Sequence, residues 1–198
     1  MDLAQFATAY ALSTSIGIRP FLTLALASLA MHFGYLHPSH DFAVLGSDGA
    51  TVVLAGLAVL EFFGEKIPAV DHALHLVHFA TKPIAAAVLV GATDSGLVPG
   101  DPAYAYAFAA AAALNALGVH AGVAALRGAS TATTAGLANP FISLIEDALT
   151  ALTTILALLV PVAAAILALL ASIGLFVLAR ATVRRVRSAA APAEYASG

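Results

Sequence analysis

The sequence predicts an all-α integral membrane protein with about six transmembrane helices in one membrane domain. Hydrophobic residues make up 61% of its 198 residues, only 10% are charged, and the mean hydropathy is +0.96. Several apolar runs are long enough to cross a bilayer. The net charge of −3 is too small to indicate a nucleic-acid partner, and the absence of cysteine excludes disulfides and thiolate metal sites.

The helices follow from apolar windows of about 20 residues, divided where Pro, Gly, Asp and Asn collect. The predicted spans cover residues 3–31, 50–63, 84–92, 103–126, 137–159 and 162–179. The first is interrupted near Arg19, and the second covers only about 21 Å of a hydrocarbon core about 30 Å thick. The third starts earlier, at Asp71, if the helix continues until Pro83 bends it. The last two are separated only at Pro161.

The two halves of the chain resemble each other in outline. Both "SIGIRPFLTLALAS" and "AGVAALRGASTATTAG" place an arginine among small and hydroxyl residues, and both "LAVLEFFGEKIP" and "FISLIEDALTAL" bring paired acids into an apolar run. Three spans per half would invert the second half relative to the first, as in many secondary transporters. We expect half-repeats at about 1–95 and 103–182, with short or broken helices, followed by a basic, disordered cytoplasmic tail at 183–198.

The positions of lysine and arginine predict the orientation. The predicted outer loops at 32–49, 93–102 and around 160 contain neither residue, whereas the inner segments hold Lys66, Lys82, Arg127 and the arginines of the tail. The positive-inside rule therefore places both termini in the cytoplasm. The basic tail also predicts contact with membrane phospholipids.

Ionisable residues inside the predicted spans are the main candidates for function, because such residues commonly mark transport pathways. Arg19 lies deep in the first span and needs an acidic partner or a wet cavity. Glu61 and Glu65 are four residues apart, on one face of a helix. The predicted ion or substrate pathway comprises Glu61, Glu65, Glu146, Asp147, Arg19, Arg127, His120 and Asn139. The alternative is that each arginine pairs with an acid only to hold the helices together.

Three histidines, His72, His75 and His78, recur every third residue directly after Asp71. Together with the nearby glutamates they offer the nitrogen and oxygen ligands that suit zinc, manganese or iron(II). The candidate divalent-cation site comprises Glu61, Glu65, His75 and His78, and no other cofactor is expected. The alternative is an interfacial amphipathic helix whose histidines face headgroups or water.

Two further polar residues lie within the fourth predicted span. His120 predicts either a proton-relay group or a hydrogen bond between helices. Asn115 predicts a hydrogen bond that bridges closely packed helices.

Four segments of the sequence stand out together: "GIRPFL", "LEFFGEKIPAVDHALHLVHFATKP", "GVHAGVAALR" and "NPFISLIEDALT". In that order they resemble the DUF4126 family of small bacterial membrane proteins, over the chain up to about Arg180. The matching positions are Glu61, Lys66, Ile67, Pro68, Asp71, His78, Pro83, His120, Asn139 or Pro140, Glu146 and Asp147, without His72 and His75. The resemblance implies a multi-pass protein of the bacterial inner membrane but no activity. A fainter similarity links "EFFGEKI" to the Glu-x-Gly-Asp-Lys-Thr motif of inverted-repeat cation and proton exchangers.

Together these patterns predict a small secondary transporter or exchanger that couples a cation to protons, as a homodimer among membrane lipids. The ion site would be formed at the repeat interface by Glu61, Glu65, Glu146 and Asp147. Arg19 and Arg127 would tune these acids or bind an anionic substrate, and the gate would comprise Lys66, Asp71 and His78. One alternative is a non-transporting scaffold or lipid-binding protein. Another is an enzyme acting on a lipid, with His78 as base and Asp71 orienting it.

Overall fold

The computed structural model describes residues 3–38, 40–93 and 102–190, and these residues form helices without a strand. In chain order the α-helices are α1 (Leu3–Ile18), α2 (Pro20–His32), α3 (Asp48–Gly64), α4 (Pro68–Thr93), α5 (Pro102–Thr134), α6 (Asn139–Leu159) and α7 (Pro161–Ala190). A short 3-10 helix, His40–Gly46, connects α2 to α3.

Four of the described helices contain a segment long and apolar enough to cross a membrane. These segments are Ala69–Ala92, Tyr106–Thr134, Asn139–Leu159 and Pro161–Arg185. They confirm the all-α class and a membrane protein, whereas six spans and an inverted repeat stay predictions. The helix α3 has 17 residues and measures about 25 Å, so it is short for a full crossing, as its sequence predicts.

Several predicted helix boundaries coincide with local sequence signals. The break at Pro161 separates α6 from α7, and the interruption at Arg19 separates α1 from α2. Helix α4 runs continuously past Pro83, so the longer of the two predicted forms of this helix is the observed one. Helix α7 continues to Ala190, which places the first part of the predicted tail in a helix, and residues 191–198 lie outside the described part.

The assignment of Lys82 and Arg127 to inner segments is wrong. Lys82 lies within α4 with 1% of its surface exposed, and Arg127 lies within α5 with 3% exposed. Neither residue therefore bears on the orientation of the chain. Both side chains lie in the protein interior, where each has polar partners.

Helix α1 forms the centre of the fold. It contacts α2, α4, α5, α6 and α7, and every residue from 11 to 20 is buried. This stretch combines apolar residues such as Leu12 and Ile16 with the polar residues Ser13, Thr14 and Ser15. Small and hydroxyl side chains allow helices to approach closely in a membrane protein. The broken end of α1 is thereby held in the middle of the helix bundle.

The predicted bridge from Asn115 is present. Its Nδ2 on α5 donates to Ser13 Oγ at 2.8 Å and to Thr14 Oγ1 at 3.0 Å on α1. We expect Asn115→Ala to lower the free energy of unfolding by about 1 kcal/mol, because both hydroxyls lose a donor. Thermal unfolding in detergent, followed by circular dichroism, would measure the change. The neighbouring, outward-facing Leu114 supplies the control Leu114→Ala, and an equal loss in both variants would contradict the bridge.

Candidate functional site

The site is built around a break in the helical chain between α1 and α2. Arg19 adopts an extended conformation there, with φ −132° and ψ 94°, and Pro20 begins α2 without a backbone N–H. A helix end inside a membrane protein leaves amide and carbonyl groups that need partners. The break therefore creates an anion-seeking end on α2 and a cation-seeking end on α1.

Two buried charged side chains form hydrogen bonds with the free backbone groups at these helix ends. Glu61 on α3 accepts hydrogen bonds at Oε2 from the amides of Phe21 (3.2 Å) and Leu22 (3.3 Å), at the start of α2. Lys82 on α4 donates from Nζ to the carbonyl of Ile18 at 2.8 Å, at the end of α1. Charge and helix dipole agree at both ends.

Arg19 itself contacts three carboxylates, and its whole side chain is buried. Its Nη1 pairs with Glu65 Oε2, its Nη2 lies 3.2 Å from Glu146 Oε2, and its Nε lies 2.8 Å from Asp147 Oδ1. The same Nη2 donates to Ser143 Oγ at 2.8 Å and to the Ser143 carbonyl at 3.1 Å. The acidic partner that the sequence requires for Arg19 is therefore supplied from α6 and from the turn after α3.

Arg127 on α5 forms a second centre that shares partners with the first. Its Nη1 donates to Asp71 Oδ1 at 2.5 Å, and its Nη2 donates to Glu65 Oε2 at 2.6 Å and to Glu146 Oε2 at 2.5 Å. Glu65 and Glu146 thus bridge the two arginines. Acids from the two halves of the sequence lie together, which the proposed pathway requires.

We call this group of side chains the ionic cluster. Its members are the carboxylates Glu61, Glu65, Asp71, Glu146 and Asp147 and the cations Arg19, Lys66, Lys82 and Arg127. With all of them ionised, five negative and four positive charges leave a formal net charge of −1. Buried charges are stable only when they are paired or hydrogen-bonded. The one negative charge in excess would therefore be stabilised by a bound cation or proton.

Lys66 occupies the edge of the ionic cluster. Its Nζ lies 3.4 Å from Asp147 Oδ2, donates to the Phe62 carbonyl at 2.7 Å, and sits 3.3 Å from the centre of the Phe62 ring. The side chain is 24% exposed. This position at the rim is compatible with the gate role predicted for Lys66, which remains a prediction.

Glu61, Glu65 and His78 form the group that best fits a metal ion. One ligand atom from each lies within 4.8 Å of the others, and all three residues are buried. Glu61 Oε1 and His78 Nε2 are 3.3 Å apart, yet within the described residues neither atom has a hydrogen-bond partner of good geometry. Unsatisfied buried nitrogen and oxygen atoms facing each other are suitable ligands for a zinc, manganese or iron(II) ion.

His75 does not join this group, although the sequence places it in the candidate metal site. Its Nε2 lies 3.6 Å from Asp71 Oδ1, and its ring stacks on His120 with centroids 5.4 Å apart. The pairing of His78 with Asp71 as base and orienting acid is also not found, because Asp71 contacts Arg127 and His75. The side chain of His72 lies outside the described part of the structure.

Sequence reasoning missed two residues of the site, Lys82 and Ser143. Lys82 Nζ lies 3.0 Å from His120 Nδ1 in addition to its bond to Ile18. The available signal was that a helix starting at Asp71 and continuing past Pro83 encloses Lys82 within an apolar segment, where a lysine needs a partner. Ser143 gave no signal in the sequence, because its bond to Arg19 depends on the packing of α6 against the break between α1 and α2.

A cavity of about 410 Å³ opens beside the ionic cluster. Its polar lining comprises Glu65, Lys66, Asp71, His75, Arg127, Thr131 and Asn139, and apolar residues such as Leu76 and Phe79 complete it. Asn139 donates from Nδ2 to Thr131 Oγ1 at 2.9 Å, and its buried Oδ1 has no partner among the described residues. A cavity of this size admits a hydrated ion or a small solute to the carboxylates.

Comparison with known proteins identifies the family. The family model for DUF4126, a domain of unknown function, matches residues 6–181, which include every member of the ionic cluster. No curated protein and no solved structure matches the chain. The similarity to inverted-repeat exchangers stays a prediction. Because the match covers most of the 198 residues, the protein belongs to the DUF4126 family.

Proposed function

We propose that this protein is a secondary transporter that exchanges a cation, best a divalent metal ion, for protons. The observation that carries the proposal is the broken helix α1–α2, whose two open ends are held by Glu61 and Lys82 within a buried ionic cluster. Broken helices whose ends face ions or charged groups near the middle of the membrane are a recurring feature of secondary transporters.

The charge of the ionic cluster favours a cation over an anion as cargo. Its formal excess is one negative charge, and both arginines already contact carboxylates. The unsatisfied Glu61 Oε1 and His78 ring nitrogens lie beside Glu65, so they offer a mixed oxygen and nitrogen ligand set. The cation would reach them from the 410 Å³ cavity, whose lining includes Glu65.

The transport assay uses purified protein in liposomes that contain a pH dye, with Mn²⁺, Zn²⁺, Na⁺ or K⁺ added outside. We expect one of the divalent ions to drive protons outward, and Glu61→Gln to reduce that flux more than about tenfold. The glutamine oxygen can still accept the amides of Phe21 and Leu22, so the helix break is retained. Asp48→Asn on the same helix, where the side chain is exposed, is the control.

The result that would overturn the proposal is full flux in Glu61→Gln or the absence of ion-driven proton movement in the wild type. Glu146→Gln is a poorer test than Glu61→Gln. Glu146 contacts both arginines, so its loss of activity would be confounded with a loss of stability. Glu61 is free of direct ion pairs with arginine among the described contacts, which makes its substitution more informative.

A scaffold role is the second candidate, because the extensive pairing around Arg127 is also what a purely structural cluster would provide. The same assay separates the two, since a scaffold moves no ions. We further propose that the end of α7 faces the cytoplasm of the bacterial inner membrane, because Arg180, Arg184 and Arg185 collect there. The homodimer and the contact of these arginines with anionic lipids belong to this proposal as well.

A further inference from the structure

We propose that Lys82 carries the coupled proton, and that its ammonium occupies the cation position at the open end of α1 until a transported cation binds. This inference deepens the proposed function and rests on it. It assigns a role to a buried residue that is outside the predicted pathway, gate and metal site.

The geometry at Lys82 is that of a bound cation. Its Nζ lies 2.8 Å from the carbonyl of Ile18, at the end of α1 where the partial charge of the helix is negative. In broken-helix transporters, carbonyls at such ends coordinate the coupling ion. An ammonium in the same place supplies one positive charge and hydrogen-bond donors without any ion from solution.

Lys82 differs from both arginines in the groups that stabilise its positive charge. Its hydrogen-bond partners, Ile18 O and His120 Nδ1, are neutral acceptors, and within the described residues no carboxylate lies at ion-pair distance from Nζ. Arg19 and Arg127 each contact three carboxylates directly. A guanidinium keeps its proton in proteins, whereas a lysine can release it. Lys82 is therefore the fully buried cation of the ionic cluster that can become neutral.

A route for the proton leads from Lys82 to the cavity. An ammonium only donates, so His120 Nδ1 accepts at 3.0 Å, which assigns the Nε2–H tautomer to this histidine. The His120 ring stacks on His75, which lines the cavity beside Asp71. The proton leaves Nζ for His120 Nδ1, and the proton on His120 Nε2, which has no partner among the described residues, passes to a water that enters from the cavity past the His75 ring. Lys82 then remains as a neutral amine.

Charge balance links this step to the cation. With Lys82 protonated the ionic cluster carries −1, and with Lys82 neutral it carries −2, which a divalent ion at Glu61, Glu65 and His78 neutralises. The charged and titratable groups that act on Lys82 from the surrounding elements are Arg19, Glu61, His75, His78, His120, Arg127 and Glu146. With the metal ion bound, the formal charge is +1 if Lys82 keeps its proton and 0 if Lys82 releases it, so binding of the metal ion favours release of the proton.

The first experiment observes the proton directly. The chain contains only two lysines, Lys66 and Lys82, so ¹⁵N-lysine-labelled protein in lipid nanodiscs gives two side-chain signals, which Lys82→Arg assigns. We expect the Lys82 signal to shift from ammonium to amine as Zn²⁺, which is diamagnetic, is titrated in, while the Lys66 signal stays that of an ammonium. A Lys82 signal that remains an ammonium at saturating Zn²⁺, in protein that exchanges Zn²⁺ for protons, would overturn the inference.

The second experiment separates the inference from the proposed function. In the liposome assay, Lys82→Arg keeps the positive charge but holds its proton, so we expect loss of the cation-driven proton flux. His120→Asn keeps an acceptor near the Nδ1 position but removes the titratable ring, so it should also lose the flux, and it serves if Lys82→Arg does not fold. Asp48→Asn, at an exposed side chain of α3, is again the control.

The outcomes are distinct. Exchange in the wild type that both Lys82→Arg and His120→Asn abolish supports the inference. Undiminished proton flux in a folded Lys82→Arg variant overturns it and leaves the exchanger intact. A wild type that moves neither ions nor protons overturns both the exchanger and the proton carrier.

Discussion

Replacement of Arg127 by methionine is expected to lower the free energy of unfolding by about 3–5 kcal/mol, the largest loss of any single substitution proposed for this protein. Methionine fills much of the space of the arginine but leaves Asp71, Glu65 and Glu146 without the donor that all three share. An uncompensated carboxylate inside a protein is costly, and here three lose a partner at once.

The measurement is thermal unfolding in detergent, with the fraction of monodisperse protein after heating as a second readout. Arg180→Met on the exposed face of α7 is the control, and we expect its stability to equal that of the wild type. The triple substitution Arg127→Met, Asp71→Asn, Glu146→Gln removes two of the three carboxylates that lose Arg127 as a partner, so it should regain part of the loss. Equal unfolding of Arg127→Met and wild type would mean that the carboxylates are hydrated or protonated instead of paired.

The same pairing changes how a structural role is tested. An exchange of charge between Arg19 and Glu61 would not test a structural role, because Glu61 accepts hydrogen bonds from the amides of α2 and lies beside His78. The partners of Arg19 are Glu65, Glu146 and Asp147. Because Glu65 and Glu146 are shared with Arg127, exchanging Arg19 with either of these glutamates also disturbs Arg127.

Features with a local cause could be predicted from the sequence. The break at Arg19 follows from a proline and a charge within an apolar run, and the break at Pro161 follows from a run too long for one helix. The membrane class follows from composition. The bridge from Asn115 also has a local cause, since an amide inside a span must find a partner.

The rest could not be predicted, because it depends on which helices are neighbours in space. Arg127 among serine and threonine residues resembles a loop in sequence, and only the packing of α5 against α4 and α6 places it on Asp71 and Glu146. Likewise, nothing in the sequence connects Lys82 to Ile18, since the bond crosses from α4 to the open end of α1. The spacing of the histidines made His75 and His78 equal candidates for metal ligands. In the structure His78 lies beside Glu61 and Glu65, whereas His75 lies beside Asp71 and His120.

A second large effect is expected at Gly17, one residue before the end of α1 at Ile18. A Cβ atom at this position would lie 2.6 Å from Val119 Cβ and 2.8 Å from the Ala116 carbonyl oxygen on α5. Both neighbours are atoms that a rotamer change cannot move. We therefore expect Gly17→Ala to lower the free energy of unfolding by about 1–3 kcal/mol, although alanine favours a helix over glycine by about 1 kcal/mol.

Gly118→Ala on α5 is the matched control, because a Cβ there meets nothing within 4 Å. The helix preference of alanine over glycine should then act alone and raise the free energy of unfolding by up to about 1 kcal/mol.

Transport measurements on the two glycine variants add a second comparison. Separation of α1 from α5 would move Ile18 away from Lys82 and His120, so Gly17→Ala should lose proton coupling at a temperature at which the protein is still folded. Opposite signs at the two glycines would establish that α1 is held against α5 at the break, whereas equal stabilisation would show that α1 stands further from α5 and that the site is more open.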